Sequence, residues 1–215
     1  MNSSGGGMRR LGRDALVSES MTVLAEKPGA SMIDIASAIG VGRTTLYRHF
    51  GDREALIAEV ARQGARKFTA ALMDARPHLG PGLDAVERAC AQLFTVPDVL
   101  TLMFADKPII TDDTFAEVER EHAGSPPEEG DPVEAMIRRG QADGSIAGDV
   151  PVVWAAMYVF LTIGSGHLFD VTTRSGPGGA ESRGAALELT IRAIRKTLSA
   201  PEDHLGGGGC SSAMT

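Results

Sequence analysis

Apolar residues recur at three- and four-residue intervals along almost the whole chain, and no stretch alternates apolar with polar side chains as a half-buried strand would. Helical period therefore sets the fold class, and glycine, proline and capping residues cut it into lengths. The spacing predicts helices over about 9–26, 32–39, 43–50, 53–75, 82–95, 98–105, 112–122, 133–142, 151–171 and 184–199. Ser31 and Asp52 are placed to cap the second and fourth of these, and Gly40 and Gly51 to end the second and third. The "GSPPEEGDP" and "RSGPGGAESRG" segments read as loops, and residues 1–7 and 202–215 as flexible tails. The expected architecture is all-α.

Charge is unevenly spread. Residues 1–67 carry ten Lys+Arg against seven Asp+Glu, whereas the remainder carries eleven against 21, so a basic head sits on an acidic body. That pattern suits a polyanion that meets the head only. Two cysteines, Cys90 and Cys210, supply neither a disulfide framework nor metal spacing. The N-terminal residues lack the apolar stretch of a secretory signal, and a cytoplasmic protein is expected. The apolar run at 152–169 is barely long enough to span a bilayer, is flanked by Asp149 and Asp170, and carries Ser165 and His167. It reads as a packed helix.

The densest chemistry lies in "GVGRTTLYRHFGDREAL", residues 40–56. On a helix from Arg43 to Phe50, Leu46 and Phe50 share one stripe, while Thr44, Thr45 and Arg48 point away and Tyr47 and His49 flank them. Ile35, Ile39 and Val41 offer the apolar surface that so short a helix needs, small Ala36 lets the two helices approach, and Gly40 allows the reversal. These are the parts of a helix-turn-helix, whose second helix enters the major groove of DNA. Arginine pairs with guanine edges and threonine with base edges or a thymine methyl, which suits Arg43, Thr44, Thr45 and Arg48 to base reading. Ser31, Tyr47, His49 and Arg53 lie at flanks and helix starts, where phosphate contacts fix register.

"IDIASAIGVGRTTLYRHFGDREALI" resembles the N-terminal signature of the tetracycline-repressor family of bacterial regulators, with the close match over 31–57. Arg53 stands where that family often has lysine, Ser31-Met32 where it often has a threonine pair, and "EKPGAS" makes a short link between the first two helices. The resemblance implies a helix-turn-helix domain at 8–58 and a larger helical effector-binding and dimerisation domain at 59–201. It also implies a homodimeric repressor on a palindromic double-stranded DNA operator, released by a partly apolar small molecule.

In the 151–171 helix, Trp154, Met157, Tyr158, Leu161 and Leu168 share a stripe while Phe160 and Ile163 lie off it. A helix apolar nearly all round needs cover on both sides, and a second subunit supplies it. Met157, Leu161, Gly164, Ser165 and Leu168, with Leu187, Ile191, Ile194 and Leu198 of the last helix, are the expected dimer interface. By resemblance, Phe94, Met103, Phe104, Phe115, Met136, Trp154 and Tyr158 are expected to line the effector site. No nucleophile elbow, Walker loop, dinucleotide fingerprint or paired metal-ligating histidines occur, so no catalytic residue, cofactor or metal is expected. The alternative is the same DNA-binding head answering to a protein partner, or to nothing.

Overall fold

Local chemistry fixes where the helices begin and end. The Ser31 hydroxyl accepts from the Asp34 amide while the Asp34 carboxylate accepts from the Ser31 amide, a reciprocal cap that starts the second helix. Gly40 closes it in the left-handed region at φ 73°, where a side chain is disfavoured. The Asp52 carboxylate accepts from the Ala55 amide and starts the fourth helix.

The computed structural model describes residues 11–121, 131–174 and 182–201. Among these residues the helices are α1 Arg13–Glu26, α2 Met32–Ile39, α3 Arg43–Phe50, α4 Arg53–Asp74, α5 Gly82–Leu93, α6 Pro97–Phe104, α7 Asp112–Glu121, α8 Pro132–Asp143, α9 Val152–Arg174 and α10 Ser182–Leu198. The described residues contain no strand, and one isolated antiparallel bridge joins Ile146 to Ser199. The all-α expectation holds. The expected helix start at 9–10, both tails, most of the two long loops, His122, His204 and Cys210 lie outside the described residues.

Two apolar cores carry the structure. The first gathers Leu16, Leu24, Ile35, Leu46 and Leu56 from α1 to α4, and extends to Val99, Leu102, Ile110 and Val118 beyond them. The second joins the far end of α4 to α5, α8, α9 and α10 through residues such as Leu72, Val86, Ile137, Val159 and Ile194, with Leu100 of α6 among them. Burying each such leucine or isoleucine contributes about 1.5–3 kcal/mol. Helix α4 belongs to both cores, with Val60 and Ala65 in the first and Ala71 and Leu72 in the second. The division at 58/59 thus falls inside one continuous helix.

α9 is long and apolar enough to cross a membrane by length and composition. Its inner face nevertheless packs into the body with Ala155, Val159, Ile163, His167 and Asp170 buried. Cys90 is fully buried in the second core, and burial pushes its thiol up to about 12.

Candidate nucleic-acid interface and effector cleft

Helix α3 is held from behind and presents its polar side to solvent. Leu46 is fully buried and Phe50 nearly so, whereas Arg43, Thr44, Tyr47 and Arg48 are exposed and Thr45 and His49 half-buried. The Arg43 guanidinium lies 5.4 Å from the centroid of the Tyr47 ring, and the His49 and Phe50 rings tilt against one another. Arg43, Thr44 and Arg48 therefore share one open surface, with Thr45 at its edge. No side chain caps the helix start at Gly42.

Ser31 also lies exposed, but its hydroxyl is engaged with Asp34 as the cap of α2, donating to the carboxylate at 2.7 Å. Those Ser31 hydrogen bonds, helped by Lys27 3.4 Å away, hold the Asp34 carboxyl below its ordinary range. Arg53 is partly engaged within the protein. Its Nε donates to the Ala30 carbonyl and one Nη to the Pro28 carbonyl, both at 2.8 Å, so the guanidinium straps the α1–α2 link to the start of α4. A phosphate is left at best the remaining Nη.

An open cleft of about 250 Å³ is lined by Met103, Pro108, Ile110, Thr111, Asp112, Phe115 and Phe160. Of the expected effector residues it contains Met103 and Phe115, while Phe104 stands beside it, its ring 4.9 Å from that of Phe160. Phe94 and Met136 do not belong there, because both are buried in the second core. Trp154 and Tyr158 are likewise displaced, stacking together at 5.3 Å while the Tyr158 hydroxyl donates to the Ala193 carbonyl and meets Thr197 on α10. Pro108, Ile110, Thr111, Asp112 and Phe160 escaped the sequence reading. Pro108, Ile110 and Phe160 carry only an apolar or aromatic character shared with many core residues, and Thr111 and Asp112 look like an ordinary helix start.

The cleft bears directly on α4. Ile110 is nearly fully buried between the two, and a Cβ at Gly64 would stand 2.3 Å from its Cδ1. Phe115 packs edge-on against Phe68 of α4 at 5.4 Å. On the same side Arg62 of α4 reaches Glu59 at 2.8 Å and Glu117 of α7 at 3.3 Å. Burial opposes ionisation of Glu59, but hydrogen bonds from Arg62 and Arg13 outweigh it and hold the carboxyl below its usual range.

The outer face of α9 is strongly apolar. Met157, Leu161 and Leu168 are about half exposed, in company with Val153, Trp154, Phe160, Phe169 and Val171, and Leu189 of α10. Ser165 is exposed among them. Several expected interface positions turn the other way. Ile194 and Leu198 are fully buried in their own protomer, Leu187 and Ile191 pack half-buried against the same core, and a Cβ at Gly164 would strike the Phe104 ring at 2.6 Å. These five serve the protomer: α10 lays its apolar stripe on α9 and α5, and Gly164 of α9 makes room for Phe104 of α6.

A helix-turn-helix head seated on a larger helical body defines the class to which this structure belongs. Residues 8–60 match the sequence model of the tetR family of bacterial regulatory proteins. The HTH-type transcriptional repressor LfrR of Mycolicibacterium smegmatis is 32% identical over 110 residues, which span 51% of this chain and 58% of that repressor. Two solved structures share the fold. The TetR-like regulator LfrR from Mycobacterium smegmatis, in complex with proflavine, superposes with a TM-score of 0.61 at 22% identity over 85% of this chain and 93% of that one. The ketosteroid transcriptional regulator KstR2 of Mycobacterium tuberculosis gives 0.65 at 14% identity, over 91% and 99%. The N-terminal head is thus similar to the tetR family, and the whole chain shares the fold of TetR-like regulators.

Proposed function

We propose that the protein is a cytoplasmic transcriptional regulator, a homodimer that binds a two-fold symmetric DNA operator through α3 and represses until a small molecule occupies the cleft. The head at 8–58 reads DNA, and the body at 59–201 pairs and senses. One observation carries this reading: α3 is fastened by Leu46 and Phe50 alone of its own side chains in the core, and leaves Arg43, Thr44 and Arg48 open on one face. Arg43, Thr44, Thr45 and Arg48 read bases, while Tyr47, His49, Ser31 and the free edge of Arg53 meet phosphates. Dimerisation covers the outer face of α9, centred on Met157, Leu161, Ser165 and Leu168, and gives the two heads a fixed spacing. That spacing must approach the roughly 34–36 Å between successive major grooves on one side of the duplex.

The effector that suits the cleft is a flat aromatic cation. Phe115, Phe160 and Met103 supply polarisable faces, and Asp112 places a carboxylate among them. Its volume is slightly below the about 300–1,000 Å³ usual for ligand sites, which favours a small planar molecule. The complex of LfrR with proflavine supports the same class. Such a ligand presses on Ile110, behind which stands the α4 backbone at Gly64, and a tilted α4 moves α3.

The test is selection of bound duplexes from a random pool by the purified full chain. An inverted repeat with half-sites about one helical turn apart is expected. No enrichment over the starting pool, in the absence of small molecules, overturns the regulator reading.

A further inference from the structure

Helix α3 has only eight residues, and its last carbonyls find no donor within the helix. Gly51 closes one of them, donating its amide to the Tyr47 carbonyl, but the last carbonyls of any helix need partners from elsewhere. For His49 the partner comes from 36 residues upstream, where Arg13 in the first turn of α1 donates Nη1 to the His49 carbonyl at 2.5 Å. The same guanidinium lies 4.8 Å from the centroid of the Phe50 ring and donates Nη2 to Glu59 of α4 at 2.9 Å. A cation at a helix C-terminus also meets the negative end of the helix dipole. Arg13 thus makes three contacts on two elements: the backbone of α3, the aromatic anchor of α3, and a carboxylate on α4 that Arg62 also holds.

We propose that Arg13 is a positioning residue for operator recognition, fixing the rotation and depth of α3 through the His49 carbonyl and the Phe50 ring with Glu59 as its counter-anchor. The proposal rests on the reading that α3 contacts base edges. Both terminal nitrogens of Arg13 already donate within the protein, one to the His49 carbonyl and one to Glu59, and the proposal assigns it no contact to base or phosphate. A basic side chain on an exposed helix start has an obvious rival role, a direct phosphate contact, and the two roles differ in what they make measurable.

The experiment measures affinity of the full chain for its selected operator and for an unrelated duplex, across salt, for Arg13→Gln, Arg13→Lys, Glu59→Gln and, as a control, Arg48→Ala. Arg13→Gln is expected to lower operator affinity about tenfold, to leave the unrelated duplex within twofold, and to keep the slope of log affinity against log salt. Losing a phosphate contact instead weakens both duplexes alike and reduces that slope by about one. Arg13→Lys keeps the charge but not the forked donors, and is expected to resemble Arg13→Gln. Glu59→Gln decides the sign. Removing a negative charge from the head strengthens DNA binding if only long-range attraction matters, whereas loss of the counter-anchor weakens operator binding severalfold.

Any of three results overturns the proposal: a slope reduced by one, full rescue by lysine, or tighter operator binding in Glu59→Gln. Thermal melts of each variant identify misfolding. Should Arg13→Gln melt below the assay temperature, Arg13→Lys and Glu59→Gln carry the decision. If Arg48→Ala leaves base preference untouched, the fault lies with the reading of α3, not with Arg13.

Discussion

At the scale of single residues, the head separates side chains that fasten from side chains that face solvent. Leu46 and Phe50 vanish into the core while Arg48, two residues from each, stands in solvent. Arg48→Ala is therefore expected to lower operator affinity by roughly ten- to a hundredfold, the worth of one lost base contact, and to relax preference at one position of each half-site. Tyr47→Phe is expected to weaken every duplex by a similar small factor. Affinities for single-substituted operators check both, and a uniform loss from Arg48→Ala moves that residue to the phosphates. The outward set on α3 was legible from the four-residue spacing of Leu46 and Phe50. The roles of Arg13 and Arg53 were not, because their bonds run to backbone carbonyls 36 and 23–25 residues away, which no local pattern encodes.

At the scale of elements, the helix limits could be read because Ser31, Gly40, Gly51 and Asp52 announce them, and the ends of α2 and α3 fall where the punctuation puts them. Orientation was harder. α9 carries its largest apolar side chains outward and buries Ala155, Val159, Ile163, His167 and Asp170, so the bulkiest stripe points away from the protomer core. His167 meets Thr101 of α6 at 2.9 Å, and the Asp170 carboxylate lies 3.6 Å from Arg183, so the polar inner positions face other elements of the same protomer. α10 is the reverse, with Ile194 and Leu198 inward, and hydrophobic spacing alone cannot tell the two cases apart. Leu161, 56% exposed near the middle of the outer face, is the sharpest probe. Leu161→Glu is expected to weaken dimerisation by roughly a hundredfold or more, since an unpaired charge in a closed interface costs about 3–5 kcal/mol, with helicity unchanged. Sedimentation at micromolar concentration checks it, and a persistent dimer removes α9 from the interface.

At the scale of the whole molecule, the cleft arises where α6, the link after it, α7 and α9 meet, and its walls come from residues between 103 and 160 in the chain. Such a convergence has no signature in sequence; of the residues expected by resemblance, Met103 and Phe115 line the cleft, while Phe94 and Met136 lie in the core. If the cleft and α3 are coupled, the coupling is reciprocal: proflavine must lower operator affinity by the same factor by which saturating operator lowers proflavine affinity. Fluorescence titrations with and without duplex measure both factors. Asp112→Asn is expected to weaken proflavine about five- to tenfold while leaving operator affinity within twofold. A factor of one in both titrations disconnects the cleft from DNA release, and an unaffected Asp112→Asn removes that carboxylate from ligand recognition.

Because the outward side chains of α3 supply almost none of what keeps that helix in place, exchanging them costs the fold very little. If α3 reads DNA as proposed, descendant lineages are free to acquire new target sequences through one or two base changes in codons 43, 44, 45, 47 and 48, leaving the Leu46 anchor untouched and passing through no unstable intermediate.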